Sequence, residues 1–478
     1  MATLTVANQA ELETAIRSVR GGDTILLKAG TYEDLNLTHT SNRNYKFTEK
    51  VTIKSADPTQ KAVVNELFIR GATNVTISDL KFDYTGVQGA DTQSWQIGDP
   101  FFIENAAGVT LERLVIDGHS NSAGFGAGTG LRVKNSANVT VSNTEMVNFK
   151  VAMNLWNSSD ITVENNVVRQ MNHDGLFIGG VKNLVIEDNY IGDNNPQYPL
   201  ALHKDAIQIF TDSVTPPSQN VVIRGNTIVS SDVRHGVFIF NELYRDGNTS
   251  DAVRHKNILV EDNYIRNANT HGVTVTHADG VTVRGNTVTL NGDQGLVQIP
   301  LINVSGTTRN AEIIGNRVSS VQDSLGDTWT VYGNDVDSRS RFHWDGVYVN
   351  GVLQPQVRPT AQDTSLSDRY LIDRSAFNGT TPLVIDDLDF AKGDRIVLTG
   401  FKAGTFIRPA LDQTFEIWNN GGATAINSFS DLDKVEDSVP VSASVTSGGD
   451  ALIAINQGSA GTFYLLLDNI VGMPDGII

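Results

Sequence analysis

Short apolar runs and polar turns alternate along most of this 478-residue chain. Six segments superimpose: ITVENNVV from Ile161, LVIEDNYI from Leu184, VVIRGNTI from Val221, ILVEDNYI from Ile258, VTVRGNTV from Val281 and AEIIGNRV from Ala311. Each is a β-branched strand, a polar turn, an asparagine and a second short strand. The aligned asparagines, Asn166, Asn189, Asn226, Asn263, Asn286 and Asn316, lie 23, 37, 37, 23 and 30 residues apart. No helical period separates the strands, so the short spacing reads as one coil of a solenoid and the long spacings as coils with an inserted loop. One coil cannot bury its apolar face alone, and stacking on its neighbours makes the core. An all-β parallel β-helix is therefore expected. The asparagines read as a structural column whose amides bond up and down the stack.

The open end of such a stack needs a cap. ELETAIRSVRGGDTILLKAGTY predicts a helix with Leu12, Ile16 and Val19 on one face, stopped by Gly21 and Gly22, and a first strand at TILL. Beyond about Ser365 the asparagine repeat ends and Gly- and Asp-bounded strands take over. The expected domains are a β-helix over residues 1–364, with its cap over 1–35, and a small β domain over 365–478.

A third strand in each coil also aligns: DGLFIGG from Asp174, DAIQIFT from Asp205, HGVFIFN from His235, HGVTVTH from His271 and QGLVQIP from Gln294. Period-two alternation puts Leu176, Ile178, Ile207, Ile209, Val237, Ile239, Val273 and Val275 inside, and Phe177, Gln208, Phe238 and Thr274 on an exposed face. The position before each small residue then forms one column, Asp174, Asp205, His235, His271 and Gln294. The position before that forms another, His173, Lys204, Arg234, Thr270 and Asp293. At the inter-strand spacing of about 5 Å these are a ridge of ionisable groups that shift one another's pKa values. Polar turns alone explain one such rung, but consecutive ionisable rungs favour a ridge that processes a polysaccharide. Two insertions sit beside it, GDNNPQYPLALH (192–203) and NELYRDGNTSDAVRHKN (241–257), the second offering Tyr244, Arg245, Arg254 and His255. Asn154 and Trp156 are expected to face outward one coil below Asp174, with Trp156 either a platform for a sugar ring or a cover for the core edge.

Charge narrows the partners. A net charge of −18 argues against nucleic acid and anionic membranes. An anionic polymer would need a locally basic site, a metal ion or screening. The chain has no cysteine, so thiolate chemistry is excluded. The N-terminal residues lack the basic and apolar regions of a signal peptide, and no apolar run is long enough for a membrane span.

The first 70 residues resemble the N-terminal cap of parallel β-helix polysaccharide lyases, which implies a right-handed, pectate-lyase-like solenoid. The HDG and RHG rungs, within residues 128–321, look like the catalytic module of secreted mannuronan C5-epimerases, with Asp174 and His235 on matching positions. The Tyr-Gly-Phe-Asp-Pro-His signature of those epimerases has no counterpart in NFKVAMNLW (148–156). LVIDDLDFAKGDRIVLTGF (383–401) and GGDALIAINQGSAGTFYLLLDNIVG (448–472) resemble the end domain of bacterial proteins exported by type I secretion. That likeness implies an extracellular protein carrying an uncleaved C-terminal signal for a type I secretion apparatus. The calcium-binding nonapeptides usual in that group are missing from the sequence.

The expected activity is lyase cleavage of an acidic, uronic-acid-containing bacterial exopolysaccharide. A base takes the C5 proton while a cation, a shared proton or Ca²⁺ neutralises the adjacent carboxylate. Lys204 or His235 is the expected base and Arg234 the neutralising cation. His173 or His271 is the expected proton donor, with Asp174 and Asp205 orienting these groups or holding calcium. Asn154, Trp156, Gln208, Phe238, Tyr244, Arg245, Arg254 and His255 are the expected sugar contacts. A C5-epimerase, a glycoside hydrolase using Asp174 and Asp205, and a non-catalytic glycan-binding matrix protein stay open as alternatives.

Overall fold

The computed structural model describes residues 1–84, 100–120, 124, 126–194, 203–213, 215–230, 233–291, 298–305, 307–323, 330–332 and 334–336, and further on the backbone of separate short strands. The chain divides into two compact units, Met1–Arg341 and Phe342–Ile478.

The first unit is a parallel β-helix. One face is a 13-stranded sheet, all parallel, that takes one strand from each coil, from Thr3–Val6 through Ser159–Glu164, Lys182–Glu187 and Gln219–Arg224 to Thr330–Tyr332. After the asparagine turn the chain enters a short strand such as Tyr190–Gly192 or Thr227–Val229, which also pairs in parallel with its neighbours above and below. It then turns again into a longer strand, such as Phe149–Trp156, Asp205–Phe210 or His235–Ile239. Inward residues of all three strands fill the interior: Leu184, Ile186, Ile191, Ile207, Ile209, Val221, Ile223 and Ile228 are each at most 1% exposed. Each such side chain contributes roughly 1.5–3 kcal/mol, and the interior continues without a break along the stack.

The asparagine column is a continuous hydrogen-bonded ladder. Asn189 Oδ1 accepts both the backbone N–H and the side-chain amide of Asn166 at 3.0 and 2.9 Å, and the same pair of bonds repeats from Asn189 to Asn226, Asn263, Asn286 and Asn316. Asn334 extends it upward, and Thr144 occupies the rung below Asn166. The residue before each ladder asparagine has positive φ, as Asn165 (52°), Asp188 (55°), Gly225 (67°), Asp262 (51°), Gly285 (62°) and Gly315 (60°). Left-handed backbone favours Gly, Asn and Asp, which is why the turn reads NN, DN or GN. An outer ladder, Asp160, Asn183, Asn220 and Asn257, runs along another turn with amide bonds of 2.7–2.8 Å, again at positive φ.

The cap is helix Gln9–Ser18. Asn8 caps it by accepting the Glu11 N–H, and Glu11 answers by accepting from the Asn8 amide and the Ala7 N–H. Leu12, Ile16 and Val19 are buried against the first strands.

In the second unit, Arg369–Asp373, Arg395–Thr399 and Thr424–Ile426 form one sheet, and Leu383–Asp386, Thr462–Asp468, Ala451–Asn456 and Val441–Val445 another. The second sheet combines one parallel pair with antiparallel neighbours.

Candidate active site

The ridge sits where the short strands hand over to the long ones. Asp205 pairs with His235, and the flanking register, Leu176 with Ile207 and Val237 with Val273, sets Asp174 below Asp205 and His271 above His235. The small residue that follows each rung is a steric requirement. A Cβ on Gly236 would lie 2.7 Å from Ile265 Cγ2 and 2.3 Å from Gly272 O, and one on Gly272 would lie 2.3 Å from Val288 Cγ1. These neighbours belong to the core. The small residue and the aliphatic one after it therefore both face the core, which leaves Asp174, Asp205, His235 and His271 on the other side, and the ladder register shifts between His271 and Val273.

Asp205 organises the centre. Its side chain is fully buried, its Oδ2 lies 2.8 Å from His203 Nδ1, and its Oδ1 lies 2.8 Å from His235 Nδ1. The His203 and His235 rings meet edge to face at 4.3 Å between centroids, and His235 and His271 are 4.5 Å apart. Phe238 packs against all three rings at 4.8–5.0 Å. One coil below, His173 Nδ1 lies 2.7 Å from Asp174 Oδ2, and Asp174 Oδ1 accepts the Asp205 N–H at 2.9 Å.

The electrostatics divide the imidazoles. Burial alone would raise the Asp205 carboxyl, but the hydrogen bonds from His203 and His235 outweigh it and hold the group below its ordinary value. The hydrogen bond to Asp205 raises His203 against its own partial burial. His271 is lowered to about 4 by burial and by its neighbour His235. Nearby, burial raises Glu242, whose Oε2 accepts the Thr211 N–H at 2.9 Å, and burial lowers Lys150.

Several expected roles change. Lys204 and Arg234 are 3% and 0% exposed, and Arg234 Nη2 donates to Met171 O at 3.2 Å, so neither presents its charge to a polymer. At these two rungs alternation turns the residue before the ridge inward, whereas His173, before Asp174, stays half-buried against the Asp174 carboxylate. Gln208, Phe238 and Thr274 are buried rather than exposed, and Phe177 is half-buried. Arg254 and His255 are also buried. His255 starts a strand of the 13-stranded sheet and accepts the Ser218 N–H on Nδ1, while Arg254 Nη1 donates to Thr307 O at 2.5 Å. These two hold the second insertion in place and are not sugar contacts. Tyr244 stacks on His277 at 3.7 Å, and Arg245, exposed, pairs with Asp246 and lies over Phe240. Asn154 and Trp156 are half-buried on the outer face. Asn154 donates to Thr129 Oγ1, and Trp156 meets Phe210 edge-on. Asp293, Gln294 and most of the first insertion lie outside the described residues.

Reading the columns alone missed His203, Lys150 and Glu242. His203 stands two residues before Asp205, on the same outer side, and was legible in HKD by the alternation that places Asp205 there.

Two groups among the described residues gather metal-ligating atoms, His203 with Asp205 and His235, and Asp83 with Asp117 and His119. Calcium wants oxygen ligands, and neither set suits it. The first is two-thirds imidazole, and in the second the Lys81 ammonium lies 2.8 Å from Asp83 while His119 bonds the same carboxylate.

A family model described as a right-handed β-helix region matches residues 65–251. No curated protein matches the sequence. Solved structures with a similar backbone include the A-module of the mannuronan C-5 epimerase AlgE4 of Azotobacter vinelandii (16% identity, 70% of this chain and 96% of that one, TM-score 0.49). An alginate lyase of Paenibacillus sp. str. FPU-7 (16%, 70% and 99%, 0.32) and the GH136 lacto-N-biosidase of Eubacterium ramulus (10%, 70% and 68%, 0.42) are also similar. The described residues of the unit Met1–Arg341 form a right-handed parallel β-helix.

Proposed function

We propose that the protein is an extracellular lyase that cleaves an acidic, uronic-acid-containing polysaccharide by β-elimination. The observation that supports this reading is the single buried carboxylate of Asp205 shared by two imidazoles, His203 with 46% of its side-chain surface exposed and His235 with 11%. His235, with Nδ1–H on Asp205, offers Nε2 to the C5 proton, and Asp205 stabilises the imidazolium that forms. As the C5–H electrons become the C4–C5 double bond and the C4–O4 bond breaks, His203 gives its proton to the departing oxygen. The two steps reinforce each other: a second positive charge arriving on the shared carboxylate weakens its hold on the first. Lys150, on the coil below His173, supplies positive charge for the uronate carboxylate.

The hydrolase alternative needs one carboxyl kept protonated as an acid. Both oxygens of Asp205 are engaged and its pKa is lowered, which favours elimination over hydrolysis. We further propose export by the type I route through residues 365–478, on the sequence resemblance of that segment.

The deciding experiment incubates the protein with a panel of acidic polysaccharides and follows ultraviolet absorbance and reducing ends together. Absorbance rising with reducing ends is expected. His203→Gln and His235→Gln should each lower the rate at least about a hundredfold. Reducing ends without absorbance would replace this reading with hydrolysis, and neither signal on any polymer would remove the lyase and leave an epimerase or a binding protein, which proton exchange at C5 separates.

A further inference from the structure

The proposed reaction leaves His271 without a part. This residue opens the strand His271–Val275, one rung above His235, with 4.5 Å between the two ring centroids. Its Nδ1 lies 2.8 Å from Oγ1 of Thr274, in the same strand. The sequence makes that contact by turning Gly272 and Val273 to the core, so that His271 and Thr274 come out on one side. Thr274 pairs in register with Phe238, whose ring packs on His271 at 5.0 Å. The threonine is 1% exposed, and the His271 ring is half-buried.

A count of hydrogens decides the tautomer. Thr274 Oγ1 carries one hydrogen and has one hydrogen-bond partner among the described residues, His271 Nδ1. If Nδ1 held the proton it would donate to Oγ1, and the buried hydroxyl hydrogen would have no acceptor. Stranding such a group is costly enough to favour the other tautomer by at least about tenfold. Oγ1–H therefore donates to Nδ1, and the ring carries its proton on Nε2. An imidazolium would hold a hydrogen on both nitrogens and strand the hydroxyl in the same way. Thr274 thus acts in the same direction as burial and His235, which hold His271 below the ordinary histidine value. A neutral imidazole is far too weak an acid to give up its remaining proton, so the leaving-group donor expected of His271 is not its part. Nε2 has no partner among the described residues and lies on the ring edge away from Thr274.

We infer that His271 is a neutral electrophile, donating a hydrogen bond from Nε2–H to the carboxylate of the uronate whose C5 proton His235 takes. The inference rests on the proposed removal of that proton. The C5 proton and the carboxylate are carried by one carbon, and the two rings that meet them are stacked neighbours. Both rings turn Nδ1 away from substrate, His235 to Asp205 and His271 to Thr274. Their outer edges differ in the proton: His235 presents a lone pair and His271 an N–H. As the C5–H electrons move toward the carboxylate, negative charge grows on its oxygens, and a donor already in place binds them more strongly. No bond to His271 forms or breaks, and its proton stays on Nε2. A neutral imidazole polarises the oxygen without setting a positive charge beside a base that is itself becoming imidazolium. The Lys150 ammonium, three coils below His235, acts on the carboxylate through space, and the contact is made by His271.

Thr274 is then a positioning residue, and two readouts in the full chain test the pair. The first is the imidazole nitrogen NMR spectrum of histidine-labelled protein near neutral pH, with the His271 signals identified by their loss in His271→Gln. Wild type and Thr274→Ser should show a neutral ring protonated on Nε2. Thr274→Val, which keeps the volume and drops the hydroxyl, should raise the share of Nδ1–H or imidazolium. The second is turnover of a polyuronate, followed by ultraviolet absorbance. His271→Phe keeps a ring against His235 and Phe238 but has no N–H; kcat should fall at least about a hundredfold with KM within about threefold of wild type. His271→Gln, whose amide offers an N–H, should stand at least about tenfold above His271→Phe in kcat. A role in packing alone would reverse that order and overturn the electrophile. An Nδ1–H tautomer or an imidazolium in wild type also overturns it. A kcat for His271→Phe within about tenfold of wild type overturns it and leaves the lyase reading intact. Wild-type protein that forms no unsaturated product and exchanges no C5 proton on any polyuronate removes the lyase reading and the electrophile together.

Discussion

Asp205→Asn is the sharpest perturbation of the centre, because it changes no volume and removes one charge. Each oxygen of the carboxylate now lies 2.8 Å from one imidazole Nδ1, Oδ2 from His203 and Oδ1 from His235. An amide has one accepting and one donating edge, so only one imidazole keeps its Nδ1–H. The other must present a lone pair at Nδ1 and carry its proton on Nε2, the edge that faces substrate. If His235 is the inverted ring it can no longer accept the C5 proton, and if His203 is, it loses the charge that held its proton. Loss of an orienting carboxylate of this kind costs about 10³–10⁴ in rate, or about 4–5.5 kcal/mol of barrier. The pH profile should move as well. In the wild type Asp205 raises His203, so the protonated donor persists below that raised value and is lost as pH climbs through it. Without the carboxylate, burial is opposed only by the more distant Asp174 and Glu242, so His203 falls from its raised value and the alkaline limb of kcat/KM should shift to lower pH. Initial rates of ultraviolet absorbance across pH, for wild type and variant, measure both effects. A variant within about tenfold of wild type, with its alkaline limb unmoved, refutes the shared-carboxylate mechanism.

Other consequences are testable by stability. Asn226→Ala removes the acceptor for the Asn189 N–H and amide and the donor to Ile186 O and Arg224 O, all in or near the core; a loss of roughly 3–5 kcal/mol is expected in urea unfolding. Gly236→Ala forces a methyl against Ile265 and the Gly272 carbonyl, so at least about 2 kcal/mol should be lost together with the placement of His235, read as a joint fall in melting temperature and rate. His255 is buried and lowered to about 4 by that burial. A lowered histidine stabilises the fold above about 6.5 and withdraws that stability as pH falls toward 4, by roughly 3 kcal/mol, so His255→Gln should flatten the decline in melting temperature over this window.

The scaffold was legible because it repeats. Each coil restates the same turn, and the asparagine column needs a residue before it that tolerates positive φ, so NN, DN and GN mark every corner without tertiary information. The third strand was legible in register for the same reason. What the alternation rule hid was a break in phase: two consecutive inward residues, such as Ala206 and Ile207, reverse the pattern upstream. Carried through, that phase puts Lys204 and Arg234 inside and His203 outside. Arg254 and His255 misled for another reason. They sit in an insertion rich in polar residues, and whether its end enters the sheet depends on pairing partners far away in sequence.

The stack also gives this protein a ruler. Because every turn of the chain adds about 4.8 Å along a single axis, the height of any group above or below the imidazoles around Asp205 is set by how many windings lie between them. Duplicating or deleting a whole winding would move such a group in discrete jumps and leave the imidazoles chemically untouched.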